Sequence, residues 1–325
     1  MKRKFIAPAM GALLLSVPVI ASASYIPELA DPGEFYGTVG GGVQSNWHPN
    51  FRIAPLEMGG SLTGEDFFDI EVDTTSGIPY VNFGYAFRNP VLGGRVRGDV
   101  FYSGIWGKDE DRFGQLDAPA GEQGRIFHID GSNFQAFSTA TDVVLDYLYE
   151  SHAFGGNIIS EWDIGDGWGA AAMVGLSAKL NYAFGELEFS IPGTRQTLNE
   201  KFKNHAYGIM LGGHVSRRVT PKVMLFGGGY VQPMLYQSDL KVRQSLFGND
   251  FLVEDNDSEL SFGGGVSGGV SVDVTENAII SIKGGWNWRD KTPIARHPTA
   301  VGQSVGIGYE SSSSAKFTVN FSYAF

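Results

Sequence analysis

Two groups of residues in this chain have types and spacing that could do chemistry. The first is a quartet, Asp109, Asp111, His128 and Asp130. A histidine oriented by a carboxylate is the arrangement of a general base that activates water. The second is a set of charges on the polar side of segments whose other side is apolar: Arg88, Arg95, Arg97, Asp99, Asp142, Asp146, Glu150, Lys179, Lys283, Arg289 and Lys316. Across an enclosed space such charges either neutralise one another as ion pairs or set a transverse field along a narrow aqueous path. Other chemistries have less behind them. There is no Cys, hence no disulfide framework, thiol nucleophile or thiolate metal site. His48, His128, His152, His205, His214 and His297 show no H-E-x-x-H or other ligand spacing. Gly263 to Gly268 satisfies G-x-G-x-x-G, but a dinucleotide site needs a helix after it, and here the pattern continues as a strand. Glycines there serve close backbone contacts in a curved sheet. No cofactor is implied.

The elements that must position these residues alternate with period two, the signature of strands with unlike faces. Ten are expected: 35–44, 79–88, 95–106, one within 141–164, one after the Gly165-Asp166-Gly167 turn to Tyr182, 205–217, 222–236, 259–272, 278–289 and 315–325. Val96, Val100, Tyr102 and Trp106 oppose Arg95, Arg97 and Asp99. Ile280, Ile282, Trp286 and Trp288 oppose Lys283, Asn287 and Arg289. In the fourth segment Val143, Leu145, Tyr147 and Tyr149 are read as the apolar outer set, which turns Asp142, Asp146 and Glu150 inward. The 222–236 segment has two competing faces, with Met224, Phe226, Tyr230 and Tyr236 against Val223, Leu225, Val231 and Leu235. Connections near 89–94, 165–167, 218–221 and 273–277 are short. Those near 45–78, 107–140, 183–204, 237–258 and 290–314 are read as long loops. This strict alternation, with an even strand count, is the plan of a membrane barrel with short turns at one end and long loops at the other. Phe68 to Val72 alternates weakly; if it and a second strand in 141–164 spanned, twelve would result, but both are short of the roughly 9–11 residues a spanning strand needs.

The ends agree with this plan. Lys2, Arg3 and Lys4, an apolar stretch from Phe5 to Ile20, and Ala21-Ser22-Ala23 form a secretory leader, with cleavage expected after Ala23. Its removal takes the formal charge from −11 to −14, and an acidic surface argues against a nucleic-acid partner. At the other end Phe317, Val319, Phe321, Tyr323 and Phe325 share one face, and Lys316, Thr318, Asn320, Ser322 and Ala324 the other. An aromatic face ending on the last residue makes a poor edge for a sheet in water and suits a closing strand against lipid.

This terminal strand resembles the C-terminal signature of Gram-negative outer-membrane β-barrel proteins. The resemblance implies a signal read by the barrel-assembly machinery, periplasmic chaperones during biogenesis, and outer-membrane lipid with lipopolysaccharide as surroundings. The expectation is therefore an all-β fold: residues 1–23 a leader and 24–325 one antiparallel barrel of about ten strands. Trp106, Tyr182, Tyr207, Trp286 and Trp288 would form an upper aromatic girdle, and Tyr85, Phe87, Trp168, Tyr323 and Phe325 a lower one. Ten strands lie nearer the width that side chains fill than the width that leaves a channel. The function expected is a non-enzymatic envelope component or narrow passive pore. The alternative is a surface protease or an adhesin working through the loops. Strand count and rim position resemble the omptin proteases, but the Asp quartet departs from that pattern, because all four residues share one loop and the order at the histidine is reversed.

Overall fold

Ten strands of the computed structural model close on themselves through one continuous ladder of hydrogen bonds. The structure describes residues 30–47, 51–58, 67–70, 73–90, 93–117, 124–137, 139–191, 194–298 and 300–325; the leader and His48 lie outside them. The strands are β1 (Phe35–Trp47), β2 (Phe51–Met58), β3 (Phe67–Ile70), β4 (Asp73–Ala86), β5 (Arg95–Asp117), β6 (Gly124–Phe127), β7 (Phe134–Phe137), β8 (Thr139–Gly165), β9 (Trp168–Ile191), β10 (Thr194–Thr220), β11 (Val223–Leu246), β12 (Asn249–Thr275), β13 (Ala278–Arg296) and β14 (Gly306–Ala324). The barrel runs β1-β14-β13-β12-β11-β10-β9-β8-β5-β4 and returns to β1, while β3-β2-β6-β7 form a separate small sheet. Phe67 to Ile70 therefore belongs to that small sheet and not to the wall.

Closure joins the two ends of the described chain. Tyr36 is in register with Ala324 and Gln44 with Lys316, and Phe35 and Phe325 exchange backbone hydrogen bonds of 3.2 and 2.9 Å. No strand edge is left in the ring, which is what a sheet needs where no water is available to pair its backbone. The β8–β9 turn uses Asp166 (φ 55°) and Gly167 (φ 75°), the left-handed pair of a tight hairpin.

The strands are longer than expected. β10 and β12 each run 27 residues, against the roughly 9–11 that cross a bilayer. Residues 183–191, 194–204 and 237–258, from stretches read as long loops, are the continuing arms of two hairpins. The second turns on Phe247 (φ 51°) and Gly248 (φ 78°). The wall thus has two levels. At the inner level, beside the short turns, apolar side chains point outward: Ile209, Leu211 and Val215 on β10, Val231 and Leu235 on β11, Ile280 and Ile282 on β13. At the outer level the same outward face carries Lys203, Lys201 and Asn199 on β10, and Gln237, Asp239, Lys241 and Arg243 on β11. One rung marks the change, since Tyr207 pairs with Leu235 and the next outward pair is His205 with Gln237.

Inside, the order is reversed. The inner level holds Asn82, Arg97, Asp99, Asn157, Lys283 and Asn320. The outer level holds a buried apolar core of Tyr147, Leu187, Phe189, Leu198, Phe202, Leu240, Val242 and Leu246, joined by Ile126, Ile129 and Val305 from the loop segments. An outward apolar band over a polar interior is the arrangement of a barrel in lipid; an apolar interior with a polar exterior is that of a barrel in water.

Candidate functional site

The lumen is the region where the sequence placed its charges, and it contains three polar groupings and one apolar seal. The lowest grouping sits near the short turns. Arg97, on β5, forms a 2.7 Å ion pair with Glu161 of β8 and lies over the Tyr36 ring at 5.6 Å. Asp99 accepts hydrogen bonds from Asn157 Nδ2 (2.8 Å) and Tyr36 Oη (3.4 Å). A Cβ at Gly84 would meet the Tyr36 ring at 2.3 Å, so only glycine accommodates the ring across this β1–β4 pair. At the β10–β11 turn, Arg218 Nη1 bonds Asp273 Oδ2 at 2.8 Å and the Pro221 carbonyl at 2.7 Å, tying β10 and its turn to β12.

The middle grouping is more basic. Arg289 Nη2 donates to Gln232 Oε1 (3.2 Å), whose Nε2 donates to Ser177 (2.7 Å). Lys179 lies within electrostatic range of Arg289, and Lys283 of Lys316. Among the described residues no carboxylate forms an ion pair with Lys283, Arg289 or Lys316.

The third grouping pins the seal. Gln244 on β11 accepts from the Ile129 backbone N–H (3.0 Å) and donates to the Phe127 carbonyl (3.1 Å). Val305 N–H donates to the Ile129 carbonyl (2.7 Å). Glu200 and His297 meet at 2.7 Å with both side chains buried. Burial, with the Glu200 carboxylate nearby, pushes the Tyr147 hydroxyl up, so it stays a neutral phenol. Residues 126–129 and 300–305 therefore enter the outer lumen, with backbone groups held by Gln244 and by the Val305–Ile129 bond.

Of the expected lumen charges, Arg97, Asp99, Lys179, Lys283 and Arg289 are buried inside, and Lys316 shares their face on β14. Arg88 and Arg95 are exposed instead; Arg88 lies past the end of β4, beside Gly33. Asp142, Asp146 and Glu150 are a correction. They fall on the outward face of β8, because Val143, Tyr147 and Tyr149 are the buried ones. This part of β8 stands at the outer level, where water is outside and the apolar side turns in. The opposed basic and acidic walls do not form. Besides Asp99, the lumen holds the acids Glu161, Glu200 and Asp273, which the sequence-based set does not include. Glu161 was legible by counting phase from Phe154 and Ile158, which are exposed on the outward face.

The quartet is also taken apart. Asp109 and Asp111 stand on β5 in register with Tyr147 and Leu145, and their side chains lie outside the described ones. His128 and Asp130 sit in the segment after β6. Ser132 donates its N–H (2.9 Å) and Oγ–H (2.7 Å) to Asp130 Oδ1 and contacts His128 Nδ1 at 3.2 Å. Slight burial opposes it, but the Ser132 donors and the nearby His128 hold the Asp130 carboxyl below the usual carboxylate range. These contacts close a local turn of the kind Asp side chains favour. The His128 ring packs against Phe251 in a tilted arrangement, with centroids 4.5 Å apart. The acids of the outer rim are engaged as well: Glu254 with Lys241, Glu110 with Arg112 at 2.6 Å, and Asp255 with the Ile307 N–H at 2.7 Å. Among the described residues no three His, Asp or Glu side chains gather as a metal site.

On the outside, Trp106, Tyr207, Trp286 and Trp288 ring one margin of the apolar band, and Phe87, Trp168, Tyr323 and Phe325 the other. His152 Nδ1 bonds Tyr102 Oη at 2.9 Å within the upper ring. Phe317, Val319, Phe321, Tyr323 and Phe325 all face outward. An even, antiparallel, closed ring with this band defines an outer-membrane β-barrel protein, seated in the outer membrane.

No protein-family model matches the chain, and no curated protein matches it. Solved structures similar to it include the outer membrane protease OmpT from Escherichia coli (14% identity, 90% of this chain and 94% of that chain, TM-score 0.45). Others are a Pseudomonas aeruginosa FadL homologue (9% identity, 90% of each chain, TM-score 0.21) and an anion-selective porin from Comamonas acidovorans (11% identity, 90% of this chain and 98% of that chain, TM-score 0.17).

Proposed function

We propose that this protein is a non-enzymatic structural component of the outer membrane, a barrel closed to passive diffusion that holds a rigid β-walled extension above the bilayer. The observation that carries this reading is the apolar core of the outer lumen, built from Phe189, Phe202, Leu240 and Val242 around Ile126 and Ile129, with Gln244 pinning the loop backbone. A passive pore would need a continuous polar path, and a desolvated ion finds no compensation among such side chains. A surface protease would need an accessible base, whereas His128 and Asp130 are engaged in a loop turn. The partners in this reading are membrane lipid along the band and lipopolysaccharide beside the upper girdle. During biogenesis they are periplasmic chaperones and the assembly machinery, which would read Phe317 to Phe325. Nucleic acid has no part in it.

Planar-bilayer recording tests the reading. The refolded protein is expected to leave the membrane silent, and a variant lacking residues 124–137 to give discrete current steps. Steps from the intact protein that change with Arg97→Ala would overturn the closed barrel in favour of the pore.

A further inference from the structure

The middle of the lumen presents positive charge and unused donors at one place. Arg289 is 2% exposed, yet only its Nη2 has a hydrogen-bond partner; Nε and Nη1 meet no acceptor among the described residues. Its guanidinium lies against Gly263, 3.2 Å from where a Cβ would stand, and 5.8 Å over the Tyr236 ring. The Tyr236 hydroxyl is buried and also lacks a partner. The acids close by are engaged elsewhere. Asp290 Oδ1 accepts from Ser261 Oγ at 2.9 Å and the Phe262 N–H at 2.7 Å, and Glu259 pairs with Lys291.

A buried guanidinium with two donors left unpaired is unfavourable. Water could fill the donors but would not cancel the charge. We propose that the lumen binds a small monovalent anion between the free N–H groups of Arg289 and the Tyr236 hydroxyl, as a resident counter-ion of the barrel. An ion of this kind only accepts hydrogen bonds, which suits a site made of donors. The apolar core above lowers the local dielectric and strengthens the attraction. Chloride and a small carboxylate share this chemistry. The site goes beyond the closed-barrel reading and does not depend on whether current flows.

Crystals soaked in bromide test the site, with bromide affinity of the detergent-solubilised barrel as a second readout. An anomalous peak within hydrogen-bond distance of Arg289 Nε or Nη1 is expected, lost in Arg289→Gln and kept in Lys316→Gln. Tyr236→Phe is expected to weaken bromide binding about tenfold. Displacement by acetate at equal concentration would assign a carboxylate site, and indifference to acetate a halide site; both support an anion there. Should Arg289→Gln fail to give the heat-modifiable folded form, the Tyr236→Phe affinity decides alone. Absence of the peak, or a bromide affinity unchanged in Tyr236→Phe, overturns the proposal.

Discussion

The inner and outer levels of the barrel share the same strands and the same ladder, yet they solve opposite solvation problems. On β10 the inward face reads Leu198, Glu200, Phe202, Asn204, Ala206 at the outer level and Met210, Gly212, His214, Ser216 below; the outward face reads Asn199, Lys201, Lys203 and then Tyr207, Ile209, Leu211. The backbone does not change face between them. The residue types do, because lipid surrounds one level and water the other. In a barrel longer than its membrane an apolar side chain marks the dry side, and which side is dry depends on height.

The largest effect should come from the dry interior of the outer level. Phe202→Ala is expected to cost about 3–5 kcal/mol through the cavity it leaves, read from urea-dependent folding in lipid vesicles. Next is a charge placed against lipid. Leu176, 66% exposed on the outward face of β9, is expected to cost about 2–4 kcal/mol as Leu176→Arg. Leu252→Arg, outward on β12 at the outer level, should change stability by no more than about 0.5 kcal/mol. Equal penalties at the two positions would erase the distinction between levels. Gln244→Ala removes both bonds to the plug backbone and should cost about 1–3 kcal/mol, seen as faster proteolytic cutting within residues 124–137 in intact cells. The smallest effect belongs to the exposed Lys241–Glu254 pair: Lys241→Ala should shift stability by about 0–1 kcal/mol, and the difference should vanish at high salt.

The inner level was legible in the sequence. Ile280, Ile282, Trp286 and Trp288 against Lys283, Asn287 and Arg289, and the five apolar residues of the terminal strand, are placed as their alternation predicts. The outer level was not, for one physical reason. Where the wall leaves the bilayer, the apolar phase moves by one residue without a bulge, from Val231 and Leu235 outward to Leu240, Val242 and Leu246 inward. Read under a single rule, that shift looks like the end of a strand. It turned 183–204 and 237–258 into loops and put Asp142, Asp146 and Glu150 inside; the two competing faces of 222–236 have another cause, since Met224, Tyr230 and Tyr236 are apolar side chains buried inside the inner level. The plug was hidden for another reason: Gln244, Glu200 and His297 are ordinary polar residues whose partners are distant in sequence, so no local spacing announces them.

The switch of faces has a bearing on how faithfully the ring can close. In a barrel of uniform design, a neighbouring strand that docks one residue out of step is penalised only where it meets lipid. Here the misaligned strand would thrust lysines toward hydrocarbon at one end and strip phenylalanines bare at the other. Each hairpin therefore carries its own proofreading, and the correctly aligned cylinder stands apart from its nearest competitors by two independent errors where most would commit one.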